Sequence, residues 1–329
     1  MENRMKRVAR GLLRAVMIAG LVTPALCFSQ AYPTKPVRAL VPFPAGSIPD
    51  VIARLVTEKL GPALGQPVIV DNRIGAGGRI GATAAAKAAS DGYTLLLGSA
   101  TTHVVAPNVV KNMPYDSFQD FTPIANAASA VSSLLVHPSM PVRSLQELVA
   151  YAKENPGKIS YGSNGIGSTH HIRGELIKMA AGIDIVHVPF SGSNELVSAI
   201  LGGQLQMTFI TPGSMKQHIE AGKVRLLAVT TPRRDPALPE VPTIAEGLPG
   251  YESIVDWFAF FGPAGLARPI VMRLNGEIVK ALNTPEVRSR LSAQSLLVIG
   301  SSPEELAELM KSESRIYAKV VKAAGIQLQ

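Results

Sequence analysis

The sequence predicts an α/β fold organised as two domains. Short runs of apolar residues, many of them β-branched, alternate along the chain with stretches of helical pattern. Continuous apolar strands separated by helices are typical of parallel sheets that carry helices on both faces. A chain of 329 residues is also long enough to bury two hydrophobic cores. The predicted strands cover residues 37–41, 68–70, 94–97, 185–188, 207–210 and 226–229.

Helices are predicted between several of these strands. A helical pattern covers residues 49–64, and an alanine-rich stretch predicts a second helix over 80–89. Serine precedes glutamate by three residues at 144–147 and again at 302–305, which is the sequence of a capping box at a helix start. Pro303 occupies the first helical position of the later one, where proline is favoured.

Residues 121–142 contain no Asp, Glu, Lys or Arg and could be taken for a membrane span. Pro123, Asn126 and Pro138, together with four serines, interrupt the stretch. A membrane helix needs about 20 predominantly apolar residues. We therefore expect a buried strand that crosses between the two domains.

The first 31 residues have the order of a secretory signal peptide. Five basic residues are followed by an uncharged, mostly apolar run at 15–28 and by small residues before a predicted cut at Tyr32. An uncleaved anchor is the alternative, but the run is short for a membrane span and Pro24 interrupts it. Cys27 would permit a lipoprotein, although the bulky Leu26 before it disfavours one. We expect a periplasmic protein, exported through a cleaved signal peptide.

Composition narrows the function further. Removal of the signal peptide takes away five basic residues and one acid, which lowers the formal charge from +8 to +4, and it also removes the single cysteine. Packing and backbone hydrogen bonds must then stabilise the protein without disulfides. The aromatic content of 5% and the lack of long Lys/Arg blocks argue against a nucleic-acid partner. The small basic excess suits an anionic ligand.

The loop after the first predicted strand, residues 42–50, could hold a carboxylate. It ends a strand and opens directly into a helix, whose first N–H groups lack partners and carry partial positive charge. Ala45 and Gly46 leave the backbone approachable, and Ser47 can cap the helix or donate its hydroxyl. The alternative is an ordinary capped helix behind a tight turn.

A second loop, residues 161–171, has the same character. Hydroxyl and amide side chains crowd around glycines that allow close backbone approach, and Ser168 or Thr169 is the natural N-cap of the following helix. His170 and His171 point to different faces of that helix, so they do not predict a metal site. Surface histidines in a first helical turn are the simpler interpretation.

Enzyme motifs are not matched. The glycine-rich segment at 72–81 has Ile80 where a dinucleotide fingerprint needs its third glycine, and a Walker A sequence is missing from the chain. Neither Ser163 nor Ser168 lies in a Gly-x-Ser-x-Gly nucleophile elbow. We predict no cofactor, no metal and no catalysis, with an exported serine hydrolase using Ser163 or Ser168 as the remaining enzymatic alternative.

Several further residues have two interpretations. Thr101, with Thr102 and His103, follows a strand end and either reaches the far end of a ligand or caps a helix. Trp257 is expected in the core. The arginines at positions 73 and 79 could attract anions, although a solvated surface position is the default for such residues.

Eight short motifs, taken in order, resemble those of the Bug/TctC family of periplasmic solute-binding receptors from tripartite tricarboxylate transport systems. Each motif is weak alone, but together they span almost the whole chain after the signal peptide. They lie at residues 42–46, 72–78, 91–96, 161–171, 201–204, 222–230, 238–243 and 250–257.

The resemblance implies a two-lobed α/β periplasmic-binding-protein fold, with mixed, mostly parallel sheets, flanking helices and a ligand cleft between the lobes. Residues 32–131 and 254–329 would form lobe 1, and residues 132–253 would form lobe 2. It also implies a monomer that binds a small organic acid and delivers it to membrane permease subunits. A receptor of the same fold that signals to a membrane sensor kinase is the alternative.

The resemblance also implies the site, in which one carboxylate is gripped between the two polar loops. Thr101 is added for the far end of the ligand, and Asp50 is retained from the family pattern. A carboxylate beside a carboxylate ligand is unfavourable unless it faces away or meets an amino group. The implied ligand-binding residues are Phe43, Ala45, Gly46, Ser47 and Asp50 with Thr101 on one side, and Ser163, Asn164, Gly167, Ser168 and Thr169 on the other.

The first loop departs from the family pattern. Ser47 stands where the family has a second glycine, and Pro49 stands where it has threonine. Pro49 removes a hydroxyl and an N–H, whereas Ser47 restores one hydroxyl. Ile210 also replaces an acid that is frequent in the family. The ligand therefore stays open among di- and tricarboxylates, aromatic acids and amino acids.

Overall fold

The computed structural model describes residues 32–190 and 192–326. The predicted signal peptide, residues 1–31, lies outside the described residues. Residues Lys35–Gln329 form one compact unit by their contacts. The boundaries proposed for the two lobes therefore stay a prediction.

The strands belong to two sheets. In chain order they are β1 (Val37–Val41), β2 (Val68–Asn72), β3 (Thr94–Ser99), β4 (Phe121–Ala130), β5 (Ser133–Val136), β6 (Ser160–Ser163), β7 (Val186–Pro189), β8 (Met207–Ile210), β9 (Arg225–Val229), β10 (Asp256–Pro263) and β11 (Leu296–Val298). The first sheet has the order β11-β4-β10-β3-β1-β2, and the second has the order β7-β6-β8-β5-β9.

Both sheets are mixed, and in each of them four strands share one direction. In the first sheet β1 runs parallel to β2 and β3, while β10 runs antiparallel to both of its neighbours, β3 and β4. In the second sheet β6 runs parallel to β7 and β8, and β5 runs antiparallel to β8 and β9. The predicted α/β class with two helix-flanked sheets is confirmed.

Helices connect most of these strands. They are α1 (Ile48–Leu64), α2 (Arg79–Ala86), α3 (Ala106–Val109), α4 (Leu145–Glu154), α5 (Thr169–Ala181), α6 (Ser193–Leu201), α7 (Pro212–Glu220), α8 (Ile244–Gly247), α9 (Arg268–Leu282), α10 (Pro285–Ser292) and α11 (Pro303–Ala323). A single 3-10 turn covers Ala76–Gly78, and a π-helical turn covers Thr101–Val105. None of the helices within residues 32–326 combines the length and the apolar run that a membrane crossing needs.

The predicted helix starts differ in one detail. Ser302 and Glu305 form the complete reciprocal capping box at the start of α11. Ser144 caps α4 through the N–H of Glu147, but the Glu147 carboxylate accepts the N–H of Arg143 instead of that of Ser144. The second half of this predicted capping box is therefore wrong, because the carboxylate reaches one residue further back.

The uncharged stretch 121–142 forms β4 in the first sheet and β5 in the second, separated by two residues. From Ile124 to Val136 every residue is buried. The expected buried crossing is confirmed, as two strands rather than one. Trp257 of β10 is fully buried in the core beside it, as predicted.

Candidate ligand-binding site

The first predicted loop, residues 43–47, connects β1 to α1. Ser47 occupies the N-cap position of α1, but its hydroxyl donates to the Pro44 carbonyl at 2.6 Å (Oγ–O) and does not cap the helix. Gly46 has a φ of +79°, a conformation that favours glycine. This tight turn places the positive end of the α1 dipole at the carboxyl edge of β1.

Asp50 braces this loop from behind. Its Oδ2 accepts the Gly46 N–H at 2.8 Å and the Arg54 Nε–H at 2.8 Å, and its Oδ1 accepts from Asn72 Nδ2 at 2.8 Å. Burial would raise the pKa of Asp50, but the hydrogen bonds from Arg54, Gly46 and Asn72 lower it overall. Because both carboxylate oxygens are occupied and the residue is 1% exposed, we correct the expectation that Asp50 contacts the ligand. It positions the loop.

The glycine-rich segment, residues 75–78, lies against the first loop. A Cβ on Gly78 would lie 2.7 Å from Thr102 Cγ2 and 3.5 Å from Phe43 Cζ. All four residues of the segment have positive φ, and Ala76 does so at +48° without being glycine. Such a conformation costs about 1–3 kcal/mol, so the surrounding contacts must enforce it. The segment brings the loops after β1 and β3 into contact.

The turn after β3 divides its polar residues between surface and core. Thr101 is exposed, and its hydroxyl makes no hydrogen bond to another described residue. Thr102 and His103 are fully buried, with His103 stacked on Phe261 at 4.1 Å between ring centroids. Burial lowers the pKa of His103 to about 3, so the ring is neutral. Within this turn, Thr101 alone is placed to meet a ligand.

The second predicted loop begins at Ser163, the last residue of β6. The Ser163 hydroxyl donates to the Gly165 carbonyl at 3.0 Å and accepts the Gly165 N–H at 3.2 Å. It also lies 2.6 Å from His187 Nε2. The residue is fully buried, so its hydroxyl shapes the loop from inside.

His187 is a residue that sequence reasoning missed. It stacks face to face on His171, with ring centroids 3.7 Å apart and an interplanar angle of 5°. Burial, then the neighbouring His171 and Lys178, lower the pKa of His187 to about 4. Its position between two valines in a predicted strand gave no signal of a polar role, because the Ser163 contact forms across the β6–β7 pair.

The rest of the second loop forms the start of α5. Ser168 is the N-cap and accepts the His171 N–H, while the Gly167 N–H donates to His171 Nδ1 at 3.0 Å. Asn164 is exposed and donates to Ser193 Oγ at 3.3 Å. The Thr169 hydroxyl has no hydrogen-bond partner among the described residues. Several donors expected to face an anion are thus engaged within the loop.

The two loops approach each other through the segment that follows the Thr101 turn. A Cβ on Gly167 would lie 3.0 Å from Cγ1 of Val109, the last residue of α3. Gly167 belongs to the loop at the edge of the second sheet, whereas α3 follows β3 of the first sheet. Polar loops at the carboxyl ends of β1, β3 and β6 therefore border one region, which is where ligands bind to sheets of this kind.

A buried charge lies behind the second loop, and sequence reasoning missed it as well. Arg173 of α5 is fully buried, and its Nη2 pairs with Asp256 Oδ2 of β10 at 2.9 Å. Its position in an otherwise amphipathic helix looks like a surface arginine, and its partner is more than 80 residues away. The pair joins a helix of the second sheet to a strand of the first.

Comparison with known proteins gives one family. The profile of the family described as "Tripartite tricarboxylate transporter family receptor" matches residues 52–326. The protein from the tcbD-tcbE intergenic region of Pseudomonas sp. (strain P51) is 40% identical over 96% of this chain and 93% of its own length. BugT of Bordetella pertussis is 34% identical over 95% of this chain and 96% of its own length.

Solved structures agree with the fold. An R. palustris protein with adipate is 36% identical and has a TM-score of 0.72, covering 90% of this chain and 99% of its own. MatC from Rhodopseudomonas palustris with bound malate is 33% identical and has a TM-score of 0.68, covering 88% and 100%. Both matches extend over nearly the whole of the relative's chain.

Proposed function

The chain belongs to the tripartite tricarboxylate transporter receptor family, and on that basis we propose that it captures a small organic carboxylate between its two lobes for delivery to membrane permease subunits. Members of this family are solute-binding receptors. Relatives with this fold have been solved with adipate and with malate, which are both carboxylates. Carboxylate capture is therefore the function of the class to which this chain belongs.

The proximity of Gly167 to Val109 carries the proposal for this chain. It brings the second loop beside the segment that follows β3, so that donors from both sheets border one region. The α1 and α5 N-termini add partial positive charge on opposite sides. The hydroxyls of Thr101 and Thr169, which make no hydrogen bond to described residues, are the donors best placed to receive a ligand oxygen.

The mechanism is a shift between open and closed lobes. A ligand that contacts both polar loops has more contacts in the closed state than in the open one, so it favours closure by that difference. The residues proposed to contact it are Phe43, Ala45, Gly46, Ser47, Thr101, Asn164, Gly167, Ser168 and Thr169. Ser163 and Asp50 hold the two loops in shape.

Catalysis by Ser163 is disfavoured by its surroundings, despite the nearby His187. The hydroxyl is fully buried and already donates and accepts within the loop. A histidine whose pKa is lowered to about 4 is a weak base at neutral pH. We therefore propose a receptor without enzymatic activity, which acts in the periplasm as a monomer after loss of residues 1–31.

The proposal is tested by thermal shift on the chain without its first 31 residues, since Lys35–Gln329 is a compact unit. The panel contains di- and tricarboxylates, aromatic acids, amino acids and neutral amides. A ligand at a hundredfold excess over its Kd stabilises the folded state by about 2.7 kcal/mol. We expect a shift with at least one carboxylate and none with the amides.

Two serine variants separate binding from helix capping. Ser168→Ala removes an N-cap in the proposed site, and Ser302→Ala removes an N-cap of α11 outside it. Each should lower stability by about 1 kcal/mol. Ser168→Ala should also abolish most of the ligand-induced shift, and Ser302→Ala should keep it. No shift with any carboxylate would contradict the proposed function.

A further inference from the structure

Arg79 is the first residue of α2 and directly follows the glycine-rich segment. Its Nη1 lies 3.7 Å from the position that a Cβ on Gly77 would occupy, so the guanidinium folds back over the segment. The neighbouring Gly78 packs against Phe43 and Thr102. The guanidinium therefore lies beside both the first loop and the turn after β3.

Tyr115 fixes the position of this charge further. Burial raises the pKa of Tyr115, and the nearby positive charge of Arg79 opposes that rise. The Tyr115 hydroxyl donates to the Thr102 carbonyl at 2.7 Å. The exposed Thr101 hydroxyl, one residue away, has no hydrogen bond to a described residue. Arg79 and Thr101 thus offer unoccupied donors in the same part of the molecule.

The charges of the surrounding loops make Arg79 distinctive. Over the described residues 43–50, 75–79, 99–105 and 163–171, Arg79 is the one lysine or arginine, and Asp50 is the one acid. The Asp50 carboxylate is neutralised by Arg54. No hydrogen bond or ion pair to a described residue engages the Arg79 guanidinium. The neighbouring Arg73, by contrast, pairs with Asp71 at 3.1 Å.

From this placement we infer that Arg79 binds a second anionic group of the ligand, which makes the preferred ligand a dicarboxylate and not a monocarboxylate. The inference rests on the proposed function, in which the two polar loops hold the first carboxylate. A guanidinium presents two parallel N–H donors that match the two oxygens of a carboxylate. A monocarboxylate would leave this charge in contact with water, so it gains nothing from Arg79.

The test compares diacids with monoacids of equal length by calorimetry on the chain without its first 31 residues. The pairs are succinate with butanoate, adipate with hexanoate, and suberate with octanoate. Arg79→Gln removes the charge, Arg79→Lys keeps the charge without the paired donors, and Arg73→Gln is the matched control. Circular dichroism and the Tm establish that each variant is folded.

We expect the wild-type protein to bind at least one diacid about tenfold more tightly than its monoacid, as one charged hydrogen bond permits. Arg79→Gln should remove that preference without changing the monoacid affinity, Arg79→Lys should lie between the two, and Arg73→Gln should behave as wild type. Equal diacid preference in wild type and Arg79→Gln would overturn the role of Arg79 alone. Binding of neither class by the wild type would overturn the proposed function as well.

Discussion

Arg173 and Asp256 form an ion pair, 2.9 Å between Nη2 and Oδ2, whose two members are buried to different degrees. The Arg173 side chain is 0% exposed, whereas the Asp256 side chain is 24% exposed. The Nε and Nη1 atoms of Arg173 have no hydrogen-bond partner among the described residues. The cation therefore depends on Asp256 for compensation, while the carboxylate retains access to water.

This asymmetry predicts unequal effects of removing each partner. Asp256→Asn leaves a buried guanidinium uncompensated and should lower the free energy of unfolding by about 3 kcal/mol. Arg173→Met should cost less, because Asp256 can be hydrated and methionine can fill the apolar space. Urea denaturation of the two variants measures the difference.

Asp71→Asn is the control for the Asp256 variant, because Asp71 pairs with a half-exposed arginine, Arg73. Exposed ion pairs contribute about 0–1 kcal/mol, so this substitution should have a small effect. A larger loss of stability in Arg173→Met than in Asp256→Asn would contradict the argument from burial.

Gly167→Ala should weaken ligand binding as well as stability. Its φ of +78° disfavours alanine, and the new methyl group would lie 3.0 Å from Val109 Cγ1 at the point where the two loops approach. Gly182→Ala is the matched control, since Gly182 has a φ of +62° but a Cβ added there would meet nothing within 4 Å. Both should lose about 1 kcal/mol of stability. Reduced carboxylate affinity is expected for Gly167→Ala alone, measured by calorimetry, and equal affinities would refute it.

Ser163→Ala should destabilise the second loop. It removes the hydroxyl that bonds both the N–H and the carbonyl of Gly165 and contacts His187. Leaving buried polar groups unsatisfied costs about 1–3 kcal/mol. Ser139→Ala removes a similar serine–histidine contact, to His137 Nδ1 at 2.8 Å, at an exposed position and should cost less. Thermal denaturation of both variants tests this, and equal losses would count against a structural role for Ser163.

Stability should fall as the pH is lowered below about 6.5. Burial lowers the pKa of His103 to about 3 and the pKa values of His170 and His187 to about 4. Unfolded histidine, with a pKa near 6.5, therefore binds protons before the folded protein does. Between pH 6.5 and 4 each such group should lower the free energy of unfolding by up to about 1.4 kcal/mol per pH unit.

Glu313 acts in the opposite direction. Burial raises its pKa to about 7 in the folded protein, so its contribution to stability is present below about pH 4.5 and is lost as the pH rises to 7. Three histidines outweigh one glutamate, and a net decrease on the acid side remains. Urea titrations at several pH values measure it, and His187→Gln should show a shallower slope than wild type. Identical slopes would show that His187 does not contribute.

The sequence was most informative where the signal is local. Apolar runs located the strands, and the serines at 168 and 302 marked helix starts because an N-cap bonds within its own first turn. The predicted 80–89 helix ends instead at Ala86. Its last three predicted residues are half-buried or exposed, and alanine content without packing does not extend a helix.

The candidate site was less predictable, because its shape depends on partners distant in sequence. Asp50 was expected near the ligand, yet Asn72 and Arg54 turn it toward the loop. His187 reaches Ser163 across neighbouring strands, and Arg173 meets Asp256 across the two sheets. No pattern of period 2 or 3.6 encodes such pairings.

Strand β10 has a consequence for the order in which the chain can fold. It pairs with β3 through Phe260 and Leu97 and with β4 on its other side, although the whole second sheet lies between β4 and β10 in sequence. A chain emerging from its N-terminus therefore has two unpaired strand edges until residue 263 appears, and pairings so remote in sequence form slowly. For a protein exported unfolded, that delay keeps the polypeptide threadable through a narrow channel for most of its synthesis.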